Sequence, residues 1–173
     1  RDKRIYVADG LQMTPFPVST AEDLGTMRHI YNECLRWMTK PLSRITPEQQ
    51  EKWWAELPHR VRRFKAFLYR DGEKVVAYSL LQWHYDGRIT PLFGITERAR
   101  GKNLARQIIQ HYLSEADGPL WGEELSSHKA IIKMNQEAGW ELLREENGVR
   151  YLYHPNEKRT FPDYKGMVEY WLS

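Results

Sequence analysis

Hydrophobic and polar residues follow two different periods in the first part of the chain. Residues 11–18 form a strand-like run, and Pro15 and Pro17 within it predict an edge position, because proline donates no ladder hydrogen bond. Apolar residues then recur every three or four positions, which predicts a helix over 20–38; they are Leu24, Met27, Tyr31, Cys34, Leu35 and Met38. Ser19 and Glu22 form a capping-box pair that predicts its N-terminus.

A second, shorter helix is predicted by a different set of end signals. Thr46 supplies an N-cap, Pro47 suits the first helical position, and Gln49 is the capping partner three residues after Thr46. Pro58 cannot continue the backbone ladder, so we expect this helix to end near Leu57.

Three strand-like runs follow, separated by turn dipeptides. Asp71-Gly72 divides the runs 63–69 and 74–85, and Asp86-Gly87 divides the second run from 88–95. Both dipeptides readily adopt the positive φ angles of a tight hairpin. We therefore expect three adjacent antiparallel strands.

Helical and strand patterns alternate again in the second half of the chain. The expected elements are a helix over 101–116, a strand over 119–125, a helix capped by Ser127 with Ile131, Met134 and Ala138 facing inward, and strands at 140–144 and 149–153 joined by Asn147-Gly148.

The composition is that of one globular domain. The chain has 173 residues, 41% of them hydrophobic and 28% charged, with seven Trp and ten Tyr. This length leaves no room for two substantial cores, and no repeat or linker divides it. We expect a single domain over 1–173 with its core over about 11–154 and an aromatic extension, 155–173, packed against it.

Charge and cysteine usage exclude several classes of site. The 26 basic and 23 acidic residues give a net charge of +3, which tolerates an anionic ligand and leaves a nucleic acid partner open without requiring one. Cys34 is the single cysteine, so an internal disulfide or a cysteine-based zinc cluster cannot form. The histidines show no paired ligand spacing, and no apolar run approaches the ~20 residues of a membrane helix. We expect a cytoplasmic protein with no metal and no membrane contact, and leave a homodimer open.

The most informative segment joins the strand 88–95 to the next helix. A basic turn containing Arg100, Gly101 and Lys102 lies between them. Free amides in the first turn of a helix, the helix dipole and these cations together suit a phosphate or pyrophosphate. An ordinary turn with solvated basic side chains is the alternative.

The turn resembles a known cofactor loop. Its sequence is similar to the Arg/Gln-x-x-Gly-x-Gly/Ala pyrophosphate loop of the GCN5-related N-acetyltransferases (GNATs), matched here by Arg100, Gly101, Lys102, Asn103, Leu104 and Ala105. Asn103 stands where that motif has its central glycine, and asparagine is the residue after glycine that best tolerates unusual backbone angles.

A second segment, 128–140, is similar to the Asn-x-x-Ser/Ala-x-x-x-Tyr-x-x-x-Gly-Phe segment of the same family. Gly139-Trp140 matches its end. His128 stands in the place of the family's asparagine, and Asn135 in the place of the tyrosine that protonates the departing thiolate in many relatives. An amide cannot donate an acidic proton, so Asn135 would act by hydrogen bonding to a water or to sulfur.

The order of elements from 11 to 154 resembles the family as well, and the resemblance implies a fold and a cofactor. The fold is α+β, with a mixed, mostly antiparallel central sheet of about six or seven strands flanked by helices on both faces. The strands 88–95 and 119–125 would run side by side and splay at the turn. Acetyl-CoA would be held by the strand ending in Phe93 and Ile95, by residues 100–105 and by His128, and the amides near Phe93 and Ile95 would polarise its carbonyl.

The chemistry needs a general base, for which three residues are candidates. Glu123 and Glu124 lie where the family often places one, and the two-residue period of a strand sends them to opposite faces, so at most one meets the cleft. His84 is the other candidate because its pKa suits proton transfer near neutrality. A solvated ion-pair partner or a hydrogen-bonded surface residue is the structural alternative for each.

The implied activity is transfer of an acetyl group from acetyl-CoA to a primary amine of a small molecule. Segments 30–33 and 45–54 are similar to those of members that acetylate amino sugars or other small amines. Two alternatives stay open. The acceptor could be macromolecular, such as a protein, an aminoacyl-tRNA or a modified nucleobase. The chain could instead be a non-catalytic acyl-CoA-binding module, since Asn103 and Asn135 depart from the family pattern.

Overall fold

The computed structural model of this protein describes residues 5–6, 12–40, 43–101 and 103–157. In chain order its elements are β1 (Ile5–Tyr6), β2 (Gln12–Pro17), α1 (Ala21–Glu33), α2 (Pro47–Arg60), β3 (Arg63–Asp71), β4 (Lys74–Trp83), β5 (Ile89–Ile95), α3 (Leu104–Glu115), β6 (Leu120–Leu125), α4 (Lys129–Glu137), β7 (Glu141–Glu146) and β8 (Val149–His154), with single 3₁₀ turns at Leu35–Trp37 and Glu97–Ala99. No helix in these ranges is long and apolar enough to cross a bilayer.

The strands form two antiparallel sheets. The larger sheet has the order β1-β2-β3-β4-β5, and the smaller has the order β6-β8-β7. The predicted three-strand meander is therefore confirmed, and so is the C-terminal hairpin. Gly72 and Gly148 adopt φ angles of 66° and 77° in their turns, the left-handed backbone that glycine permits.

The border between the two sheets lies between β5 and β6. These strands contact each other, yet no backbone ladder joins them in the described part of the chain. The two strands predicted to run side by side are thus neighbours, but their backbones are not joined by ladder hydrogen bonds in the described residues. The strand ladder is therefore interrupted, within the described residues, at the place where the sequence resemblance predicts a splay.

Helices cover both faces of the larger sheet. Leu80 packs with Leu57 of α2, whereas Leu81, the next residue of β4, packs with Ile108 of α3, because successive strand residues point to opposite faces. α1 packs on the same face as α2 through Met27 against β3 and β4. The cluster around α3 also includes residues of the smaller sheet, so one core spans both sheets. The predicted α+β fold with helices on both faces is confirmed.

Several predicted boundaries are wrong by a few residues. The capping box of α1 is formed by Thr20 and Asp23 instead of Ser19 and Glu22. α1 ends at Glu33, and the remaining apolar spacing belongs to the 3₁₀ turn Leu35–Trp37, whose three-residue period also brings every third side chain to one face.

Three further corrections concern helix ends in the rest of the chain. α2 continues through Pro58 to Arg60, because the ring removes one ladder donor in the last turn while the Val61 amide still donates to the Leu57 carbonyl. α3 begins at Leu104 instead of 101. His128, not Ser127, is the N-cap of α4.

β2 lies between β1 and β3, so the predicted edge position is only partly right. The Val18 amide donates to the Ala66 carbonyl, and the alternation of the backbone then turns Pro15 and Pro17 away from β3. Within the described residues, β1 pairs with Gln12 and Met13 of β2. Both prolines therefore lie where no ladder donor is needed within the described residues.

Some predictions fall outside the described residues. These are the start of the first strand at Leu11, Lys102 and most of the aromatic extension, 158–173. The expectation of a single domain over 1–173 stays a prediction.

Candidate functional site

The two edges of β5 differ in what they bind. The Thr96 amide donates to the Val76 carbonyl at 2.8 Å, and the His84 amide donates to the Arg88 carbonyl, which fixes the even-numbered positions as those that face β4. Backbone direction alternates along a strand. The N–H and C=O groups of Phe93 and Ile95 therefore face β6.

β6 presents a matching unpaired edge. The Ser126 amide donates to the Gly148 carbonyl at 2.9 Å, so the even positions of β6 face β8. The backbone groups of Trp121 and Glu123 consequently face β5. Since no ladder joins β5 to β6 among the described residues, the gap between them is bordered on both sides by polar backbone.

The turn after β5 contains two residues in the left-handed region. Gly101 has a φ of 79° and Asn103 a φ of 62°. Asn103 is the N-cap of α3, and its side chain makes no capping hydrogen bond, so side chains leave the amides of Leu104 and Ala105 in the first turn uncapped. Such a run of amides forms a concave anion site. Lys102, the remaining residue of the predicted motif, lies outside the described residues.

Arg100 binds the protein's own backbone. Its guanidinium donates to the Ile95 carbonyl through Nε at 3.2 Å and to the Glu33 carbonyl through an Nη at 2.9 Å. The same nitrogen lies 3.5 Å from Cys34 Sγ. Arg100 therefore fastens the turn to the end of α1, where a cation also meets the negative end of the helix dipole.

His128 is the N-cap of α4. Its Nδ1 accepts a long hydrogen bond, 3.5 Å, from the Ile131 amide, and its ring lies 4.1 Å from the Trp37 ring, centroid to centroid. Burial lowers the pKa of His128; the Glu124 carboxylate opposes that shift, and the Arg100 guanidinium adds to it. The predicted cofactor residues of the turn and of α4 are thus within electrostatic reach of each other.

The two neighbouring carboxylates on β6 have opposite surroundings. Glu123 is exposed and has no hydrogen bond or ion pair within the described part of the chain. Glu124 is buried, and it accepts hydrogen bonds from Asn135 Nδ2 at 2.7 Å and from Arg150 Nε at 2.9 Å. The two side chains lie on opposite faces, as the strand period requires, and Glu123 points away from α3 and α4.

His84 is close to β5 on the same side as Glu123. Its Nε2 lies 2.7 Å from Thr90 Oγ1, and the Thr90 side chain shares a face with Leu92, which packs toward α1 and α2. Burial lowers the pKa of His84 and the Arg88 guanidinium lowers it further, against a smaller opposing effect of Asp86. The imidazole is therefore neutral at pH 7 and able to accept a proton.

Asn135 is buried beside Glu124. Only 7% of the residue is exposed, and its Oδ1 has no hydrogen-bond donor among the described residues. The site residues predicted from sequence therefore lie in four places: the gap edge at Phe93 and Ile95, the turn, the region around Glu124, Asn135 and His128, and the opposite face, which carries Glu123 and His84.

Sequence reasoning missed Arg150 and Trp37. Arg150 lies directly opposite Glu124 in the β6–β8 register, and this pairing follows only once β8 is known to lie between β6 and β7. Trp37 has no sequence signal beyond an apolar position near the end of α1. Among the described residues, no group of three or more His, Cys, Asp or Glu side chains is placed to hold a metal ion.

The comparisons with known proteins rest on structure. No protein-family model matches the sequence, and no curated protein matches it. An N-acetyltransferase from Staphylococcus aureus Mu50 superposes with a TM-score of 0.70 at 17% identity, covering 84% of this chain and 99% of that chain.

Two further structures hold ligands. Spermidine N-acetyltransferase from Vibrio cholerae in complex with CoA and spermine gives a TM-score of 0.70 at 14% identity, with 84% of this chain and 96% of that chain covered. A GNAT superfamily phosphinothricin acetyltransferase from Sinorhizobium meliloti in complex with AcCoA gives a TM-score of 0.69 at 13% identity, with 88% of this chain and 94% of that chain covered. At these identities the likeness shows the fold, and the fold of this chain is that of the GNATs.

Proposed function

We propose that this chain is an N-acyltransferase that moves an acetyl group from acetyl-CoA to the primary amine of a small molecule. The observation that carries the proposal is the gap between β5 and β6, which no strand ladder closes among the described residues and which ends at an uncapped helix N-terminus. An extended arm with amide groups pairs well with a free strand edge, and a pyrophosphate suits the amides of a first helical turn. Acetyl-CoA contains both parts.

The residues that would hold the cofactor are on the two strands and the turn. The backbone of Phe93 and the amide of Ile95 would pair with its arm, since the Ile95 carbonyl already accepts a hydrogen bond from Arg100 Nε. The amides of 103–105 would receive its pyrophosphate. The bound thioester supplies the activated acyl group. The Phe93 and Ile95 amides are fixed donors for the charge that develops on a carbonyl oxygen in the gap, and such preorganised donors need no rearrangement as the reaction proceeds.

An ammonium acceptor must lose a proton before it can attack. Glu123 and His84 both lie on the side away from α3, and both are free to accept a proton: Glu123 because it is exposed and unpaired within the described residues, His84 because its pKa is lowered. The Glu124 carboxylate already accepts two hydrogen bonds in a buried pair, which disfavours a role in proton transfer.

The acceptor class follows from less specific features. An exposed carboxylate beside the gap attracts an ammonium group, and we propose a small amine, with amino sugars and sugar nucleotides among the candidates. The named neighbours widen the range to test, because one is a spermidine N-acetyltransferase and another a phosphinothricin acetyltransferase.

The test is calorimetry with acetyl-CoA, followed by thiol release in the presence of a panel of acceptors. The panel contains an amino sugar, a sugar nucleotide, a polyamine, phosphinothricin, a peptide with a free N-terminus and an aminoacyl-tRNA. Turnover on a small amine supports the proposal. Turnover only on the peptide or the tRNA would move the acceptor to a macromolecule, and binding without turnover on any amine would favour a non-catalytic acyl-CoA-binding module. Absence of acetyl-CoA binding would overturn all three.

A further inference from the structure

A buried ion pair lies beside the gap, and the proposed reaction makes no use of it. The Glu124 side chain is 3% exposed and the Arg150 side chain 15%, with Nε of Arg150 at 2.9 Å from Oε2 of Glu124. The other carboxylate oxygen, Oε1, accepts a hydrogen bond from Asn135 Nδ2 at 2.7 Å. Arg150 on β8, Glu124 on β6 and Asn135 on α4 therefore form one chain of contacts that joins the smaller sheet to the helix.

This chain fixes the orientation of the Asn135 amide. The Glu124 carboxylate accepts from Arg150 Nε through one oxygen and from Asn135 Nδ2 through the other, so the NH2 group of Asn135 faces it and Oδ1 points the other way. Burial prevents bulk water from compensating Oδ1, and no described residue donates to it. A buried carbonyl oxygen without a donor is costly, so it is a place where a ligand N–H is favoured.

We propose that Arg150 and Glu124 are positioning residues that hold the Asn135 amide so that its oxygen accepts a hydrogen bond from an amide N–H of the pantetheine arm of CoA. The inference rests on the proposed function, because it takes acyl-CoA as the ligand of the gap. β6 borders that gap through the backbone of Glu123, the residue next to Glu124. The arm of CoA carries secondary amides, which are the donors that a fixed carbonyl oxygen selects.

The direct test replaces Asn135 by the apolar residue of similar shape and compares two ligands. Calorimetry measures the binding of CoA and of 3′-phosphoadenosine 5′-diphosphate, the nucleotide half of CoA that lacks the pantetheine arm. We expect Asn135→Leu to weaken the binding of CoA by about tenfold, because one well-placed hydrogen bond is lost. The affinity for the nucleotide half should stay unchanged. Equal weakening of both ligands, or no weakening of either, would overturn the proposal.

The positioning role of Glu124 and Arg150 is tested by replacing both charged side chains with neutral ones. The double variant Glu124→Gln with Arg150→Met keeps volume and removes both charges, and the Gln amide can present either its oxygen or its nitrogen to Asn135. Because the Asn135 amide is then free to turn over, we expect CoA to bind at least threefold more weakly, again with the nucleotide half unaffected. Wild-type CoA affinity in the double variant would contradict the positioning role.

Glu145→Gln is the matched control. Glu145 is an exposed carboxylate 3.8 Å from an Nη of Arg150, and it makes no contact with Asn135. We expect this variant to bind both ligands as the wild type does. If Glu145→Gln lost as much CoA affinity as the double variant, the effect would come from the packing around Arg150 in general, and the proposal would be overturned.

The two proposals fail in different ways. If the wild-type protein does not bind CoA, the proposed function and this inference fall together. If the wild type binds CoA and Asn135→Leu binds it equally well, this inference alone is wrong. Binding of CoA without turnover on any amine leaves the inference standing, since its readout is affinity for the arm.

Discussion

One strand, β5, has two edges that the chain uses in opposite ways. Toward β4 it forms an uninterrupted antiparallel ladder over Ile89–Ile95, with Tyr78 and Gly94 packed closely across the strands. Toward β6 it forms no ladder within the described residues, although the two strands are in contact. The first edge stabilises the fold, and the second leaves hydrogen-bonding groups available.

The difference shows where a ligand is needed to complete the structure. An unpaired strand edge is normally paired, covered or protected by charge, because free N–H and C=O groups are costly when they are removed from water. Here the edges of β5 and β6 face each other across a gap that leads to the uncapped start of α3. Each of the following variants changes one edge, the face beside the gap or the turn at its end.

The largest effect is expected for Phe93→Pro. This change removes one N–H that faces the gap and leaves the ladder with β4 intact, and Pro91 already occupies the equivalent orientation two residues earlier. We expect acetyl transfer to fall by ~10²–10³-fold, the usual result of losing one donor to a developing oxyanion. Steady-state thiol release measures it.

Two control variants separate the donor from other effects. Phe93→Ala removes the ring that lies 6.3 Å from the Tyr112 ring and keeps the N–H, so it should retain most of the turnover that the proline variant loses. Leu92→Pro instead removes a donor that faces β4, and it should lower the melting temperature. Equal activity of Phe93→Pro and Phe93→Ala would show that the open edge is not used.

The general base is tested on the face beside the gap. Glu123→Gln and His84→Gln each remove one candidate without changing size greatly, and loss of the true base should lower turnover by ~10²-fold while acetyl-CoA affinity stays unchanged. Near-normal turnover in both variants would exclude side-chain base catalysis by these two residues.

The pH dependence separates the two candidates further. Burial and Arg88 lower the pKa of His84, so a rate that depends on neutral His84 falls only when pH decreases through this lowered pKa and the imidazole becomes protonated. The same shift makes the folded state bind fewer protons than the unfolded chain. The His84 contribution to stability is therefore present above the unfolded pKa and is lost as pH falls through the folded pKa.

Gly94→Ala tests the paired edge. A Cβ at this position would lie 2.7 Å from Cε1 of Tyr78 and 3.0 Å from Sγ of Cys34, and Tyr78 is fully buried and cannot move aside freely. We expect a loss of about 1–3 kcal/mol in the free energy of unfolding, measured by urea denaturation. Gly25→Ala is the control, since its Cβ meets nothing closer than 3.9 Å within α1, and it should stabilise by about 0.5–1 kcal/mol.

The smallest effect is expected at the turn that ends the open edge. Asn103 has a φ of 62° and no capping side-chain bond, so its main requirement is conformational. Asn103→Ala should cost about 1 kcal/mol in stability and weaken acetyl-CoA binding, whereas Asn103→Gly keeps the left-handed backbone and should match the wild type. Equal affinities of the two variants for acetyl-CoA would show that binding does not depend on the left-handed backbone at position 103.

Local signals predicted the elements well because they act within a few residues. The Asp71-Gly72 and Asn147-Gly148 turns, the Thr46 capping box and the helical spacing of α3 all depend on near neighbours in the chain. Boundaries were less certain for the same reason. Ser19 and Thr20 both donate a backbone N–H to the Asp23 carboxylate, and Thr20 is the cap because its Oγ1 accepts a hydrogen bond from the Asp23 amide.

The chemistry of the site depended on distant partners, which only the tertiary structure supplies. Sequence alone determined that Glu123 and Glu124 point to opposite faces, since a strand has a period of two. It could not tell which of them is buried, because that depends on β8 placing Arg150 opposite Glu124 and on α4 placing Asn135 above it. Likewise the turn was visible in the sequence, whereas the attachment of Arg100 to the Glu33 and Ile95 carbonyls required the end of α1 to be beside the end of β5. Local backbone preferences are properties of short segments, but burial and charge pairing are properties of segments that meet only when the chain has folded.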